Sequence, residues 1–212
     1  MFDIEYRGAN AIVINTKKSS FVFDPKLSLV GLKDLPSKGA VELATEPRYS
    51  LATPEARLVI DSPGEYGIAG VDITGIPAKH YLDSQGDYPS VTVYTISISE
   101  VRIGVLGNIA ASVSDELLEE LGMLDIVVLP VGGGGITLNA NEASTIVRAI
   151  GPKVVIPIHY ADKEVKYEAP QDDVDVFVKA LGAPVETAPK YKLKRYSELP
   201  LALTIFDIKR TS

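Results

Sequence analysis

The sequence predicts a layered α/β domain with mixed sheets. Two patterns support this class. The first half is a series of short β-rich runs separated by turns, and after Leu106 apolar runs of buried-strand type alternate with amphipathic helices. The 212 residues are enough for one domain with a substantial core. Because no repeat, low-complexity tract or linker interrupts the chain, we expect one domain over residues 1–212.

The strands of the first half are predicted from runs rich in β-branched and aromatic residues, which "RGAN", "TKKSS" and the Pro-Gly turn "SPGEYG" separate. The longest run, "SVTVYTISIS", alternates from Ser90 to Ser99, turns at Ser99-Glu100 and returns as "VRIGVL". This alternation predicts an antiparallel meander with one face in water. The other predicted strands of this half are "DIEY", "AIVIN", "FVFD", "ARLVID" and "VDITGI".

The helices of the second half are predicted from their start and stop signals. "SDELLEELG" begins with Ser114 as a plausible N-cap, carries acidic residues in its first turn and ends at Gly122. "NEASTIVRAIGP" ends at Gly151-Pro152, and "QDDVDVFVKALG" ends at Gly182. The predicted strands of this half are "LDIVVLPV", "KVVIPI", "KYKLKRY" and "LALTIFDI".

A candidate site follows from the carboxyl ends of three successive strands. In open α/β sheets, ligands gather where strands end and loops lead into helices. Gly107-Asn108 follows "VRIGVL", Gly132–Gly135 follow "LDIVVLP", and His159 follows "KVVIPI". If these strands are neighbours, their polar ends share one rim.

Charge and composition exclude several classes of partner. A net charge of -7 and a pI near 4.9, with no offsetting Lys/Arg cluster, argue against a nucleic-acid partner. No stretch reaches the roughly 18 apolar residues of a membrane span, and the N-terminus lacks the pattern of a signal peptide, so we expect no membrane partner and a cytoplasmic protein. The absence of cysteine fits that compartment and removes thiolate metal sites.

The individual site candidates leave alternatives open. His159 alone is more often a structural histidine than a ligand, and His80 alone is more often a histidine of a surface loop. That both histidines of the chain end strands raises the odds of a shared site. The loop of Gly132, Gly133, Gly134 and Gly135 could cradle a phosphate ahead of a helix. It lacks the P-loop Lys-Ser/Thr, so close backbone packing is the better interpretation.

Several collinear stretches resemble the metallo-β-lactamase fold superfamily, especially its short bacterial and archaeal branch of Zn-dependent hydrolases. The most specific is "LDIVVLPVGGGGITLNANEASTIVRAIGPKVVIPIHY", which is similar to the family's "P-V-G-G … P-K-x-V-I-P-M-H-Y". "VIDSPGEYGIAGVDITGI" resembles the family's "PGEYE-x-x-G-V" hairpin. The opening "IEYRGANAIVINTKKSSFVFDPKL" resembles a Gly-His-Ser-x-Phe strand followed by "LFDP", and "SVTVYTISISEVRIGVLGN" resembles the stretch that ends in His-x-Gly-Asp.

The resemblance implies an αββα four-layer sandwich with a metal site at the rim where the loops of the two sheets meet. In the family, two metal ions, commonly zinc, polarise a substrate and generate hydroxide. Their ligands come from a His-x-His-x-Asp-His loop, a later His, a bridging Asp and a final His.

The ligand positions implied by the family are mostly changed in this chain. The segment "TEPRYSLA" (45–52), at the place of the His-rich loop, offers only Glu46 as a hard ligand and adds the cation Arg48. Asn108 stands at the place of the bridging aspartate, and Ala9-Asn10 replaces the opening His-Ser. Only His80 and His159 lie where family ligands lie.

We therefore expect a degenerate, non-catalytic protein that lacks the dinuclear centre and has no cofactor. Its vestigial rim would consist of His80, Asn108, His159, Glu46 and Asp24 of "FVFDP", with Gly132–Gly135 lining the cleft. A binding or assembly role, with an unidentified ligand or protein partner, would survive such loss, and a homodimer is compatible with it. We expect His159 to be neutral and hydrogen-bonded beside Asn108 and His80.

The alternative is a metal-dependent hydrolase with a rebuilt site. It would hold one Zn²⁺ with His80, His159 and Glu46, or use His159 as a general base without metal. Nucleic-acid processing, as in the nuclease branches of the superfamily, is disfavoured by the missing ligands and by the acidity of the chain.

Overall fold

A computed structural model describes residues 1–82 and 91–211 of the chain, which form three α-helices and fourteen strands. Ser90, the first residue of the predicted alternating strand, lies outside the described residues. In the first half the strands are β1 Phe2–Gly8, β2 Ala11–Thr16, β3 Ser20–Phe23, β4 Val41–Leu43, β5 Leu58–Ile60, β6 Gly64–Ile68, β7 Val71–Ala78, β8 Val91–Ile98 and β9 Val101–Val105. In the second half the elements are α1 Asp115–Leu121, β10 Ile126–Pro130, α2 Ala140–Ile150, β11 Val154–Ile158, α3 Val174–Leu181, β12 Val185–Ala188, β13 Tyr191–Leu193 and β14 Thr204–Ile208.

The first sheet has the order β13-β1-β2-β3-β4-β5 among the described residues. Its strands β13, β1, β2 and β3 pair antiparallel, whereas β3, β4 and β5 pair parallel. Apolar side chains of β1 alternate with polar ones, so Phe2, Ile4 and Tyr6 are buried while Asp3 and Glu5 are half-buried. This alternation turns one face of the sheet toward the core.

The second sheet has the order β12-β14-β11-β10-β9-β8-β7-β6 in the part of the chain that the structure describes. Strands β6 to β9 form the predicted antiparallel meander, and β9, β10, β11, β14 and β12 are parallel. Because helices connect the parallel strands, this half has the character of an α/β sheet. Its strands β10 and β11 are buried along their whole length, as their apolar sequences predict.

One detail of the predicted meander is wrong. The expected wet face of β8 is absent, because Thr92 and Thr95 are buried with their apolar neighbours in the middle of an eight-stranded sheet. After the turn at Pro63, Gly64–Ile68 forms the edge strand β6, which pairs with β7 in the hairpin that the family resemblance implies.

The predicted signals at Ser114, Gly122, Gly151 and Gly182 lie at helix boundaries, and α2 begins at a cap that was not predicted. The Ser114 side chain accepts a hydrogen bond from the amide of Leu117, and α1 ends at Gly122. Helix α2 begins with a complete capping box, in which Asn139 and Glu142 satisfy each other's backbone amides. Left-handed glycines, Gly151 and Gly182, end α2 and α3.

The main core lies where the two sheets face each other. Tyr94 of β8 packs edge-on against Phe23 of β3, with 6.0 Å between the ring centroids. Its hydroxyl donates to the carbonyls of Ala44 and Ile60, which belong to the first sheet's side. Helices α2 and α3 contact each other, and α2 also contacts β10. These layers confirm the predicted mixed α/β fold with two packed sheets. No helix in residues 1–82 or 91–211 is long and apolar enough to cross a membrane.

Candidate functional site

The candidate site lies at one rim, where strands of both sheets end. Strands β9, β10 and β11 are neighbours and parallel, so Asn108, the glycine loop and His159 follow adjacent carboxyl ends. From the first sheet, Asp24 directly follows β3, and Glu46 lies three residues after β4. Side-chain contacts across the sheets, described below, hold these loops together.

Glu46 is the hub of this rim. Its Oε1 accepts a hydrogen bond of 2.7 Å from the Asn108 amide and lies 3.5 Å from Nε2 of His80. Its Oε2 accepts a hydrogen bond of 2.7 Å from Nε of Arg48. Burial acts to raise the pKa of Glu46, but the hydrogen bond from His80, the charge of Arg48 and the Asn108 amide outweigh burial and lower that pKa. The carboxylate is therefore ionised and fully engaged by protein donors.

Tyr49 adds a neutral member to the same network. Its hydroxyl accepts hydrogen bonds from the Asn108 amide at 3.1 Å and from the Arg48 guanidinium at 2.8 Å. Arg48 also lies over the Tyr49 ring, 4.7 Å from its centroid. Burial raises the pKa of Tyr49, so the hydroxyl stays protonated. The Asn108 side chain is oriented by these contacts, because its amide nitrogen must face the carboxylate and its Oδ1 then points elsewhere.

His80 is buried rather than exposed on a surface loop, which corrects the interpretation of this residue taken alone. It forms an isolated β-bridge with Ile109, next to Asn108. Its Nδ1 accepts a hydrogen bond of 3.1 Å from the amide of Leu82. A ring nitrogen that accepts carries no proton, so the proton of the neutral ring is on Nε2, which faces Glu46.

His159 is held by a different set of residues. Its backbone lies in the left-handed region, with φ of 51°, and its amide donates to the Ala9 carbonyl at 3.0 Å. Its Nδ1 lies 2.8 Å from Oδ1 of Asn10, and its ring stacks on Tyr167 at 4.8 Å between centroids. Burial lowers the pKa of His159 to about 4, which leaves the ring neutral at pH 7. Its hydrogen-bond partner is thus Asn10, whereas Asn108 and His80 are directed at Glu46.

Asp24 is joined to the site through Thr45. Its two carboxyl oxygens accept from the amide and the hydroxyl of Thr45, both at 2.7 Å. Burial raises the pKa of Asp24 to about 8 despite these hydrogen bonds, so the group is mostly protonated at pH 7. Thr45 in turn packs against Gly107, where a side chain would come within 2.8 Å of Cβ of Thr45. Asp24 therefore holds Thr45, the residue next to Glu46, and these hydrogen bonds do not reach Glu46 itself.

Close packing accounts for the glycine loop. A Cβ on Gly132 would lie 2.3 Å from the His159 carbonyl oxygen, and one on Gly134 would lie 2.5 Å from Nε2 of Gln171. Gly133, Gly134 and Gly135 have positive φ. The loop thus supports the backbone of His159 and the segment around Gln171.

The side chains at the rim do not fit the ligand set of a dinuclear metal centre. A ligating histidine normally donates its other ring N–H to an acceptor. His159 has this polarity toward Asn10, but Nδ1 of His80 faces the N–H of Leu82, so Nε2 of His80 has a proton in place of a lone pair. The carboxylate of Glu46 is already neutralised by Arg48. In residues 1–82 and 91–211, no group of three or more His, Cys, Asp or Glu could hold a metal ion.

Sequence reasoning noted the replacements at Asn10 and Arg48 but missed Thr45, Tyr49 and Tyr167. Tyr49 lies in the "TEPRYSLA" segment, where the family resemblance points only to metal ligands. Tyr167 lies eight residues after His159 in a loop without any motif, and no local signal could have identified it.

Comparisons with known proteins identify the family of this chain. The protein-family model described as "Beta-lactamase superfamily domain" matches residues 3–159, which is most of the chain. The chain is 35% identical over 115 residues to a UPF0173 metal-dependent hydrolase of Thermococcus onnurineus, covering 49% of this chain and 50% of that protein. It is 34% identical over 100 residues to one of Pyrococcus horikoshii, covering 46% and 44%. These matches span about half the length of the curated relatives.

Solved structures agree with the fold. A protein of the metallo-β-lactamase superfamily from Thermotoga maritima is similar with a TM-score of 0.75 and 23% identity, covering 99% of this chain and 100% of that one. A metallo hydrolase from Ignicoccus hospitalis is similar with a TM-score of 0.68 and 16% identity, covering 91% and 99%. With two packed mixed sheets and a family match over residues 3–159, this chain belongs to the β-lactamase superfamily domain family and has the metallo-β-lactamase fold.

Proposed function

We propose that this chain is a non-catalytic member of its family, in which a network of protein side chains replaces the dinuclear metal centre. The observation that carries the proposal is the environment of Glu46. Arg48, Asn108 and His80 provide its positive charge and its hydrogen-bond donors. A carboxylate satisfied in this way has little to gain from a dication, and a cation must displace Arg48 and compete with its fixed charge.

A binding role is compatible with what the rim retains. Nε2 of His159 and Oδ1 of Asn108 are buried atoms without a hydrogen-bond partner among the described residues. Such atoms are costly when unpaired, so a ligand that pairs with them gains affinity. We propose a cytoplasmic, single-domain protein over residues 1–212 that binds a ligand or a protein partner without hydrolysis.

A second candidate function is a hydrolase with one metal ion. Two observations favour it: His159 has the ring polarity of a metal ligand, and the curated relatives are named metal-dependent hydrolases. For this function, the proton of His80 must move from Nε2 to Nδ1, which breaks the hydrogen bond from the Leu82 amide. Glu46 must also give up its ion pair with Arg48.

Metal analysis separates the two functions. The protein is purified without chelator, Zn, Mn and Fe per chain are quantified, and Zn²⁺ is titrated while the melting temperature is followed. We expect no stoichiometric metal and no stabilisation, because a ligand stabilises only a folded state that binds it. The variants His80→Ala and His159→Ala are the controls. A stoichiometric metal that both variants lose would contradict the non-catalytic proposal and favour the mononuclear hydrolase.

A further inference from the structure

We propose that residues 161–172, here called the strap, cover His159 and that Tyr167 is the side chain that seals it from solvent. A small ligand would then reach His159 only when the strap moves away. The inference concerns access to the rim and holds whether or not the rim binds metal.

The strap is a loop that is closed at its base. The amide of Ala161 donates to the Asp172 carbonyl at 2.9 Å, and the amide of Asp172 donates to the Gly132 carbonyl at 2.8 Å. The two ends of the strap are thus tied to each other and to the glycine loop. A segment of this length whose ends are close together has the form of an Ω-loop, a kind of surface loop that is frequently functional.

Polar and apolar contacts hold the middle of the strap. The amide of Lys166 donates to the Val30 carbonyl at 2.9 Å, and Arg210 pairs with both Asp162 and Glu164. Val165 is buried, and Tyr167 packs against the apolar cluster of the first sheet's outer side. A cavity of about 550 Å³ is lined by strap residues and Asp173. Displacement of the strap must therefore break these contacts, and a ligand has to offset that cost.

Tyr167 is the contact that covers the site. Its ring lies nearly parallel to the imidazole of His159, at 20°, with 4.8 Å between centroids. Under this cover His159 is 4% exposed although it ends a strand at the rim. Removal of the Tyr167 ring would therefore open one face of His159 to solvent.

The polar atoms at the rim define the class of ligand. Asn108 donates its amide to Glu46 and Tyr49, so its unpaired Oδ1 is an acceptor. Since the N–H at Nδ1 of His159 donates to Oδ1 of Asn10, the unpaired Nε2 of His159 is an acceptor too. A small molecule with an N–H or O–H donor can pair with Nε2 of His159, and its binding would offset the cost of opening the strap.

Chemical labelling of the two histidines tests the seal. Diethyl pyrocarbonate is applied to the whole chain at neutral pH, and the labelling rates of His159 and His80 are measured by peptide mass spectrometry. Tyr167→Ala should raise the rate at His159 roughly three- to tenfold, the factor that corresponds to one lost aromatic contact. Tyr167→Phe keeps the ring and should leave the rate near wild type. His80 is the internal control and should stay protected throughout.

Two results would overturn the proposal. One is an unchanged His159 rate in a folded Tyr167→Ala variant. The other is an equal rise at His80, which would indicate general loosening instead of strap opening.

A crosslink gives an independent test if Tyr167→Ala does not fold. A Cβ on Gly31 would lie 3.5 Å from Cβ of Lys166, within the range of about 3.5–4.5 Å for disulfides. The chain has no cysteine, so Gly31→Cys with Lys166→Cys forms only this bond. In the oxidised protein, His159 should be labelled several-fold more slowly than in the same protein after reduction. Because both forms carry Gly31→Cys, this comparison also controls for strain at residue 31. Equal labelling rates of His159 in the oxidised and reduced forms would refute the proposal that movement of the strap gives access to His159. Metal content is measured in parallel, so failure of the proposed function is seen separately.

Discussion

At the scale of single residues, the rim shows how a carboxylate can stay ionised in a buried place when protein groups supply charge and hydrogen bonds. Glu46 is 7% exposed and still has a pKa below its ordinary value of 4.5. The hydrogen bond from His80, the guanidinium of Arg48 and the amide of Asn108 outweigh the effect of burial. Asp24 shows the contrary case: among the described residues its hydrogen-bond donors come from Thr45, and burial raises its pKa to about 8.

The contribution of Arg48 can be measured through pH. Arg48→Met should lower the free energy of unfolding at pH 7 by about 1 kcal/mol, since half of the Arg48 side chain is exposed and solvent weakens the pair. The pKa of Glu46 is lowered in the folded protein, so this stabilisation is fully present above pH 4.5 and is lost as the pH falls through the lowered value. Urea unfolding at several pH values should show the variants converging below pH 4.5.

A double-mutant cycle with Glu46→Gln provides the control. In the Glu46→Gln background, Arg48→Met should cost less than in the wild type and the same at every pH, because the charge of Glu46 is gone and only the contacts of Arg48 with Tyr49 remain. A full and pH-independent loss in that background would mean that Arg48 stabilises the loop by packing, not by its charge.

The site could be predicted from the sequence only at positions that correspond to metal ligands of the family. His80 and His159 keep the family's histidines, whereas Asn108 and Glu46 stand where other ligands would be, and all four are buried. Their pairing was not predictable, because the contact between Glu46 and Asn108 joins residues 62 positions apart. Tyr167 shows the same limit, since its stacking on His159 depends on the path of a loop without a motif.

At the scale of elements, the glycine loop after β10 illustrates a backbone that tolerates no side chain. Gly132→Ala places a methyl group 2.3 Å from the His159 carbonyl oxygen, so the backbone of either strand end must shift. We expect a loss of about 1–3 kcal/mol in the free energy of unfolding, as for other overpacked sites. Gly135→Ala is the matched control: no atom lies within 4 Å of its Cβ, and only its positive φ adds a cost of about 1 kcal/mol. Equal losses for the two variants would contradict the packing role of Gly132.

Elements with strong local signals were predicted well. The predicted cap Ser114 begins α1 and the predicted glycines end the three helices, and the apolar runs of β10 and β11 form adjacent buried strands. The failures come from tertiary context. Thr92 and Thr95 of β8 are typical of a half-exposed strand, but the position of β8 within an eight-stranded sheet buries them.

At the scale of the whole molecule, the last thirty residues complete both sheets. Strand β14 pairs with β11, with Val154 opposite Thr204, and it also pairs with β12. Strand β13 crosses to the other sheet and pairs with β1, with Ile4 opposite Tyr191. The family match ends at residue 159, before all three strands, yet the sheets that carry the rim are incomplete without them.

Removal of these strands tests whether residues 1–212 form one domain. Truncation after Gly182 exposes the pairing edges of β1 and β11 and uncovers the apolar side chains that Ile205 and Ile208 bury. We expect the truncated chain to show no cooperative thermal transition by circular dichroism, whereas the full chain should unfold in a single transition. Two separate transitions in the full chain, or a truncated chain that unfolds cooperatively, would show that the C-terminal strands are an independent addition. Loops from both sheets build the rim. If the truncated chain shows no cooperative transition, the rim therefore cannot form without these strands.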